Sequence, residues 1–273
     1  IHPGEIHPPP LPETEKGDFN PNQTNPFFKV LLMRGFFITG TDTEIGKTLI
    51  TAFLAAGLRA RGISCCPVKP LGAGGVTAGG RRISQDAIVY QRLGGAEAPL
   101  GDLNPLCLER PASPHFAAER EGIALVPGDL LASLRALAAR YDFLLVEGIG
   151  GWLVPVTYEY LVADFARDAG LPVLVVSANR LGTLNHTLLT LESIRGRGLE
   201  AAGVIFTHPY PGGEADMAAN NVETVRRVGQ VEILGSVPYL GERIEECSDP
   251  GTVWDLVKDC FLWERIIQKL HTL

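Results

Sequence analysis

The sequence predicts an α/β protein whose sheet is mostly parallel and lies between helices on both faces, as a three-layer architecture. The first observation is that short apolar runs of strand-like composition alternate with helical segments from residue 33 onward. The second is that hydrophobic residues make up 45% of the 273 positions, which is enough to fill a large core. Alternation of this kind predicts parallel strands, because a helical crossover must join each strand to a parallel neighbour.

The first 32 residues have a different composition. They are rich in Pro, Asn and Thr and have no helical or strand periodicity before Phe27. We therefore expect residues 1–32 to be a disordered leader and residues 33–273 to form a single α/β domain. Because the globular pattern begins just after Met33, we also expect Met33 to be the natural start of the protein.

Composition excludes several classes of partner. The net charge is -7, and Lys and Arg form no block, which argues against nucleic acid or an anionic membrane as a partner. Five cysteines without a C-x-x-C motif are typical of buried thiols in a reducing compartment. No apolar run is long enough to span a bilayer, so the expected location is the cytoplasm.

The first strand and helix enclose a glycine-bounded loop. Residues 36–38 are a short apolar strand, residues 40–48 read Gly-Thr-Asp-Thr-Glu-Ile-Gly-Lys-Thr, and residues 49–60 have helical composition. The free backbone amides at such a helix start, together with the helix dipole, favour a phosphate group. In this P-loop arrangement Lys47 would contact the outer phosphates, and the Thr48 hydroxyl would be a Mg²⁺ ligand.

The loop departs from the common G-x-x-x-x-G-K-[ST] pattern. Five residues separate Gly40 from Gly46, and the loop contains Thr43 and the acid Glu44. An acid beside bound phosphates repels them unless a cation lies between. This composition therefore indicates that an amine or a metal binds there as well as a nucleotide.

The chain continues with a second strand, over residues 64–70, which contains Lys69 and is followed by a glycine-rich loop. Ser84 is a predicted N-cap for a helix over residues 85–93 that has Asp86 in its first turn. Leucine spacing predicts a helix over residues 130–140.

The most strand-like run, residues 143–146, ends in Glu147 and is followed by Gly148, Ile149 and Gly150. An acid after such a strand is the second Mg²⁺-holding element expected of phosphate-loop enzymes. Because ligands gather beyond the carboxyl ends of parallel strands, we expect Lys69 to lie at the same site as the phosphate loop, so that Lys47 and Lys69 face one site.

The later segments alternate in the same way. Predicted helices cover residues 116–121, 162–168, 182–195 and 215–228, predicted strands cover residues 172–177, 201–206 and 234–237, and one amphipathic segment covers residues 253–270.

Together these motifs resemble the dethiobiotin synthetase family. The resemblance extends from Met33 to about Glu245, and the extended loop with its Thr-Glu insert is specific to that family. It rests on the loop at 40–48 and on Val68-Lys69-Pro70, Asn104-Pro105, Ser113-Pro114-His115, Val146 to Trp152, Leu181 to His186 and Val237 to Leu240.

The resemblance implies a cytoplasmic homodimer that makes the ureido ring of dethiobiotin from 7,8-diaminononanoate, CO₂ and ATP with Mg²⁺. The implied catalytic residues are Lys47, Lys69, Thr43 and Glu44, and the implied metal ligands are Thr48, Asp86 and Glu147. The implied nucleotide-binding residues are Glu44, Ile45, Gly46, Lys47, Thr48, Leu49, Asp86, Glu147, Gly148, Ile149, Gly150, Thr207, His208, Pro238, Tyr239, Leu240 and Glu245. The implied substrate-binding residues are Lys69, Ala73, Gly182, Thr183, Leu184 and Asn185, the last four lying at a helix start that would reach across the dimer interface.

Two departures from the family pattern leave alternatives open. Ala73 stands where the family usually has Ser or Thr, and Thr207-His208 stands where it has an Asn-Asp pair at the base pocket. A related ligase acting on another amine is therefore one alternative. A nucleotide-switched partition ATPase of the same broad fold is another, although such proteins usually have an additional lysine early in the loop.

Overall fold

The computed structural model of the chain describes residues 33–247 and 249–272. The predicted leader, residues 1–32, lies outside the described residues, and the single domain over residues 33–273 stays a prediction.

Twelve strands and ten helices occur in the described part of the chain. The strands are β1 (Gly35–Gly40), β2 (Cys65–Val68), β3 (Leu71–Ala73), β4 (Val76–Ala78), β5 (Arg81–Ile83), β6 (Leu106–Leu108), β7 (Phe143–Glu147), β8 (Pro155–Thr157), β9 (Tyr160–Leu161), β10 (Val173–Ala178), β11 (Ala201–Thr207) and β12 (Ile233–Val237). The helices are α1 (Lys47–Arg59), α2 (Gln85–Arg92), α3 (Leu100–Leu103), α4 (Pro114–Glu121), α5 (Pro127–Ala138), α6 (Val162–Ala169), α7 (Thr183–Gly196), α8 (Ala215–Val228), α9 (Pro250–Val257) and α10 (Trp263–His271), and a 3₁₀ turn covers Gly241–Ile244.

Six strands form the central sheet in the order β12-β11-β10-β1-β7-β2. Every pairing in this sheet is parallel. All residues of β1, β7, β10 and β2 are buried, as expected of strands that helices cover on both sides. The predicted fold class is therefore confirmed. Its consequence for function is that β1, β7 and β2, which are neighbours, end at the same edge of the sheet.

The helices pack in groups against this sheet. Helix α1 contacts α2 and α9, α5 contacts α6, and α7 contacts α8. Within residues 33–247 and 249–272, no helix combines the length and the apolar character that crossing a membrane requires.

The segment predicted to be a glycine-rich loop after Lys69 contains short strands. Strand β3 pairs in parallel with β6, and β4 forms an antiparallel hairpin with β5. The strands are only three residues long. Runs this short give no detectable period in a sequence, and for that reason the loop prediction missed them.

The amphipathic segment predicted over residues 253–270 is two helices, α9 and α10, with a turn between them. In the turn, the Ser236 N–H donates to the Cys260 carbonyl at 3.0 Å, and the Leu262 N–H donates to the Leu234 carbonyl at 2.8 Å. The turn thus pairs with β12, and a continuous helix could not offer these groups because its own hydrogen bonds use them.

Aromatic packing fixes the two C-terminal helices to α1. The Arg61 guanidinium lies 4.4 Å from the ring centre of Trp254 and 4.5 Å from that of Trp263. A Cβ at Gly57 would lie 1.9 Å from Trp263, so only glycine allows this approach. Helices α9 and α10 therefore cover the side of α1 on which Gly57 lies.

Candidate functional site

The loop between β1 and α1 has the backbone of an anion cradle. Gly46 caps α1 with a φ of 93°, and Glu44 has a φ of 54°. Left-handed backbone at a non-glycine residue is uncommon, and Glu44 adopts it two residues before the cap of α1. The Lys47 ammonium lies across the same loop and donates to the Asp42 carbonyl at 2.9 Å.

Beside this loop a cluster of charged side chains lies at the carboxyl edge of the sheet. The Thr48 hydroxyl donates to Asp86 Oδ1 at 2.7 Å and lies 3.1 Å from Glu147 Oε1. The Lys69 ammonium contacts Glu147 Oε1 at 2.6 Å, Asp86 Oδ2 at 3.0 Å and the Gly148 carbonyl at 3.1 Å. The structure thus brings Lys69, Asp86 and Glu147 together with the loop. The positions of Lys69 and Glu147 at strand ends predicted this, whereas for Asp86 it was implied only by the family resemblance.

The cluster holds its charges in a water-poor environment. Burial acts to lower the pKa of Lys69, but the charges of Glu147 and Asp86 and their hydrogen bonds outweigh it and raise that pKa above its usual value. Burial acts to raise the pKa of Asp86, but Lys69 and the hydroxyls of Thr48 and Ser84 lower it. The Lys69 ammonium and the Asp86 carboxylate are therefore held in their charged forms.

Lys47 differs from Lys69 in its surroundings. Burial lowers the pKa of Lys47 to about 8, and the charge of Lys69 adds to this effect while the nearby acids oppose it. Burial thus disfavours the charged form of Lys47, and an anion such as a phosphate that binds beside the ammonium would stabilise that form.

Three polar residues support the cluster, and only Ser84 was given a role from sequence, as the N-cap of α2. The Ser84 hydroxyl donates to Asp86 Oδ2 at 2.8 Å. Asn104 accepts from the Ser84 N–H and donates to the Lys69 carbonyl, both at 2.7 Å. Tyr90, which is fully buried, donates its hydroxyl to Glu147 Oε2. The available signal for Tyr90 was its place four residues after Asp86, on the same face of α2.

A cavity of about 780 Å³ opens over the loop and the cluster. Twelve of the predicted site residues line it, namely Thr43, Glu44, Gly46, Lys47, Thr48, Leu49, Lys69, Ala73, Asp86, Glu147, Ile149 and Gly150. Its far wall is formed by Pro111, Ala112, Ser113 and Pro114. The volume suffices for a nucleotide's phosphates and a small substrate.

A second cavity, of about 380 Å³, lies on the other side of the loop, where the base pocket was predicted. The predicted residues that line it are Glu44, Ile45, Gly46, Leu49, Thr207, His208, Pro238, Tyr239, Leu240 and Glu245. The Thr207 hydroxyl donates to the Ile45 carbonyl at 2.7 Å. That hydroxyl therefore supports the phosphate loop.

The predicted substrate residues Gly182, Thr183, Leu184 and Asn185 lie apart, at the start of α7, outside both cavities. The Thr183 hydroxyl is buried and bonds to Ser177 Oγ at 2.8 Å, whereas Asn185 is exposed. An exposed ion pair at 3.2 Å between Arg180 and Asp42 links this segment to the phosphate loop. Gly148, which was predicted to bind the nucleotide, does not line either cavity, and its carbonyl accepts a hydrogen bond from Lys69.

The donors at the cluster fit a hard cation. A hydroxyl and two carboxylates on three different elements supply oxygen atoms only, and Mg²⁺ prefers such ligands beside phosphates. In the described residues no group of three or more His, Cys, Asp or Glu side chains converges as a metal site. Two carboxylates and a hydroxyl could hold Mg²⁺ together with a bound phosphate.

Comparison with known proteins gives a consistent result. An AAA domain family model matches residues 34–246. The ATP-dependent dethiobiotin synthetase BioD of Halalkalibacterium halodurans is 40% identical over 211 residues, covering 77% of this chain and 86% of that protein. The protein of the same name from Anaeromyxobacter sp. (strain Fw109-5) is 42% identical over 213 residues, covering 77% and 94%.

Among solved structures, a ParA family ATPase from Chlorobium tepidum TLS is similar with a TM-score of 0.52 at 13% identity, covering 88% of this chain and 98% of that one. This likeness bears on the fold alone. The sequence identity to the two synthetases, over most of their length, decides the family: the chain belongs to the ATP-dependent dethiobiotin synthetases.

Proposed function

We propose that this chain is an ATP-dependent cyclo-ligase that forms the ureido ring of dethiobiotin from 7,8-diaminononanoate and CO₂. Its relatives of 40% and 42% identity are named as ATP-dependent dethiobiotin synthetases. The observation that carries the proposal is that the phosphate loop, Lys69 and Glu147 line one cavity that also has room for a second substrate.

The loop and Lys47 are proposed to hold the nucleotide. The amides at the start of α1 and the Lys47 ammonium face the position of the outer phosphates, where negative charge shifts during phosphoryl transfer. On binding ATP, Lys47 would exchange the Asp42 carbonyl for phosphate oxygens. Fixed positive charge of this kind is the main source of catalysis in phosphoryl transfer, because the reaction needs little covalent help.

Thr48, Asp86 and Glu147 are proposed to hold Mg²⁺. The Thr48 hydroxyl lies 2.7 Å from Asp86 Oδ1 and 3.1 Å from Glu147 Oε1, and Thr48 follows Lys47 in the chain, so a cation held there would neutralise the phosphates. When bound, Mg²⁺ supplies positive charge that offsets the charge of the β- and γ-phosphates.

Lys69, Thr43 and Glu44 are proposed to act on the diamine. One amine adds to CO₂ and loses a proton to water, giving a carbamate. A carbamate oxygen attacks the γ-phosphorus and displaces ADP, which gives a carbamic-phosphoric anhydride. The second amine then attacks the carbonyl carbon of this anhydride, loses a proton to water and expels phosphate as the ring closes. In this scheme the Lys69 ammonium stabilises the carbamate, while the Glu44 carboxylate attracts the diamine and its loop neighbour Thr43 lines the point where diamine and phosphate meet.

The remaining assignments are proposals of the same kind. The second cavity would bind the nucleotide base and ribose. The start of α7 would bind the substrate carboxylate in a homodimer, since a helix N-terminus favours an anion. We also propose a cytoplasmic location and small-molecule partners only.

The alternatives differ in what stimulates ATP hydrolysis. Ala73, which lines the main cavity, leaves a related ligase on another amine as the second candidate, because its methyl group cannot hydrogen-bond a substrate. A partition ATPase would instead respond to DNA or a membrane and would be indifferent to the diamine.

The test is mass-spectrometric detection of dethiobiotin after incubation with ATP, Mg²⁺, bicarbonate and 7,8-diaminononanoate. We expect product with the wild type, and a fall of about 10²- to 10³-fold in rate for Lys69→Ala, the loss typical of removing one charge-stabilising group. Lys258→Ala, which removes an exposed lysine directly after α9, is the matched control and should retain full activity.

Parallel reactions with CTP or GTP in place of ATP show which nucleotide bases can bind beside Thr207 and His208. Folded wild-type protein that makes no product with any of the three nucleotides would refute the proposal and direct the search to other amines.

A further inference from the structure

Tyr90 is a polar residue of the site to which the proposed reaction assigns no role. It is fully buried in α2, and its hydroxyl donates to Glu147 Oε2. Placing a tyrosine hydroxyl in a core is costly unless it has a partner, and here the partner is the inner oxygen of a carboxylate that faces the cavity with its other oxygen.

The two oxygens of Glu147 therefore have separate surroundings. Oε1 lies 2.6 Å from Lys69 Nζ and 3.1 Å from Thr48 Oγ1, on the cavity side. Oε2 lies against Tyr90, on the core side. Because Glu147 itself is 1% exposed, its carboxylate cannot turn toward solvent.

Helix α2 supplies both the acid of the cluster and this hydroxyl. Asp86 and Tyr90 are four residues apart, so they lie one above the other on the same helical face. Asp86 contacts Thr48 and Lys69, and Tyr90 reaches Glu147 from behind. A shift of α2 would therefore move both contacts together.

The number of oxygens that a carboxylate can offer bears on which cation it binds. Ca²⁺ takes six to eight oxygens and readily accepts both oxygens of one carboxylate, whereas Mg²⁺ is smaller, takes six ligands in an octahedron and uses few carboxylates. A carboxylate oxygen that accepts a hydrogen bond from a buried donor has one lone pair fewer to offer a metal, which weakens binding through both oxygens at once.

We propose that Tyr90 is a positioning residue that holds Glu147 Oε2 on the core side, so that a metal meets Glu147 through Oε1, the oxygen it would share with Lys69, and that Tyr90 thereby makes the site favour Mg²⁺ over Ca²⁺. This inference rests on the proposed function in one respect, since it takes the metal to bind with ATP at Thr48, Asp86 and Glu147.

The experiment compares the affinities of Mg²⁺ and Ca²⁺ for the full chain with bound β,γ-imido-ATP, measured by calorimetry in the wild type and in Tyr90→Phe. We expect the affinity for Mg²⁺ to fall about tenfold, as for other residues that orient a metal ligand. The affinity for Ca²⁺ should change less than about twofold, because the freed Oε2 becomes available to it. The ratio of the two affinities should therefore fall at least about fivefold.

Tyr160→Phe is the matched control. Its hydroxyl also donates to a carboxylate, Asp168 Oδ2 at 2.8 Å, on β9 and α6, and its loss should leave the ratio unchanged. Tyr90→Met removes the same hydroxyl with a flexible side chain of similar bulk, so it provides the test if Tyr90→Phe does not fold.

An unchanged ratio in Tyr90→Phe would overturn the proposal, even if both affinities fell together, and so would an equal shift in Tyr160→Phe. Wild-type protein that binds neither cation with the analogue would overturn it as well. Because none of these measurements involves turnover, the dethiobiotin assay still judges the proposed reaction separately.

Discussion

Replacing Lys69 by Met should destabilise the protein as well as inactivate it. The ammonium of Lys69 lies between Glu147 Oε1, at 2.6 Å, and Asp86 Oδ2, at 3.0 Å, and the residue is 6% exposed. Met fills much of the same space without charge. The change therefore leaves two carboxylates close together without the cation that neutralises them.

The magnitude follows from what each carboxylate retains. Removing one partner of a buried ion pair costs about 3 to 5 kcal/mol. Asp86 keeps the hydroxyls of Thr48 and Ser84 and is partly exposed, and Glu147 keeps that of Tyr90. We therefore expect the lower end of this range, a loss of about 3 kcal/mol in the free energy of unfolding at pH 7.

Urea unfolding at pH 7 with a chelator present measures this loss, and the slope with urea should not change. The control is Lys258→Met, whose exposed ammonium lies 3.4 Å from Asp255 and should contribute less than about 1 kcal/mol.

The pH dependence has a definite sign. Because the pKa of Asp86 is lowered in the folded protein, its ion pair stabilises the fold above the unfolded pKa of about 4 and loses this effect as the pH falls through the folded value. The difference between wild type and Lys69→Met should therefore narrow below about pH 4. A variant within about 1 kcal/mol of the wild type at pH 7 would refute the reasoning about Lys69.

Three further predictions concern neighbouring residues. Gly46→Ala should lose about 1 to 2 kcal/mol of stability in urea unfolding, because alanine is strained at a φ of 93°, and unchanged stability would count against the loop geometry. Cys65 and Cys66, whose thiol pKa values burial raises to about 12, should not react with a disulfide reagent at pH 8 until the protein unfolds; rapid labelling of the native protein would contradict their burial. Asn104→Ala should cost about 2 to 4 kcal/mol in the same unfolding assay, since it leaves the Lys69 carbonyl and the Ser84 N–H without their partner, and a loss below about 1 kcal/mol would show that water replaces it.

The parts of the site that were predictable from sequence are those that a local pattern specifies. The strand, loop and helix over residues 36–60 follow one another along the chain, and Ser84 caps α2 within two residues of Asp86. Glu147 was identified because it ends an apolar strand. Ligands bind at the carboxyl ends of the strands in a parallel sheet, and this rule placed these residues at that edge although the strand order was unknown.

The parts that were missed depend on contacts between distant residues. Tyr90 and Glu147 are 57 positions apart, and a tyrosine on the apolar face of a helix has the same pattern whether or not its hydroxyl has a partner. The break between α9 and α10 arises because Phe261 pairs with Gly235 of β12. The amphipathic period on either side of the turn continues through it, so periodicity alone predicted one segment.

The turn between α9 and α10 also bears on how the chain can be shortened. Its backbone occupies the open side of β12, the last strand of the sheet, yet the family match ends at residue 246, before the turn begins. A chain cut at that boundary would display a row of unpaired amides and carbonyls along an apolar strand, which is a template for strands from other molecules. Such a shortened protein should aggregate during expression, even though it retains every residue that we assign to the site.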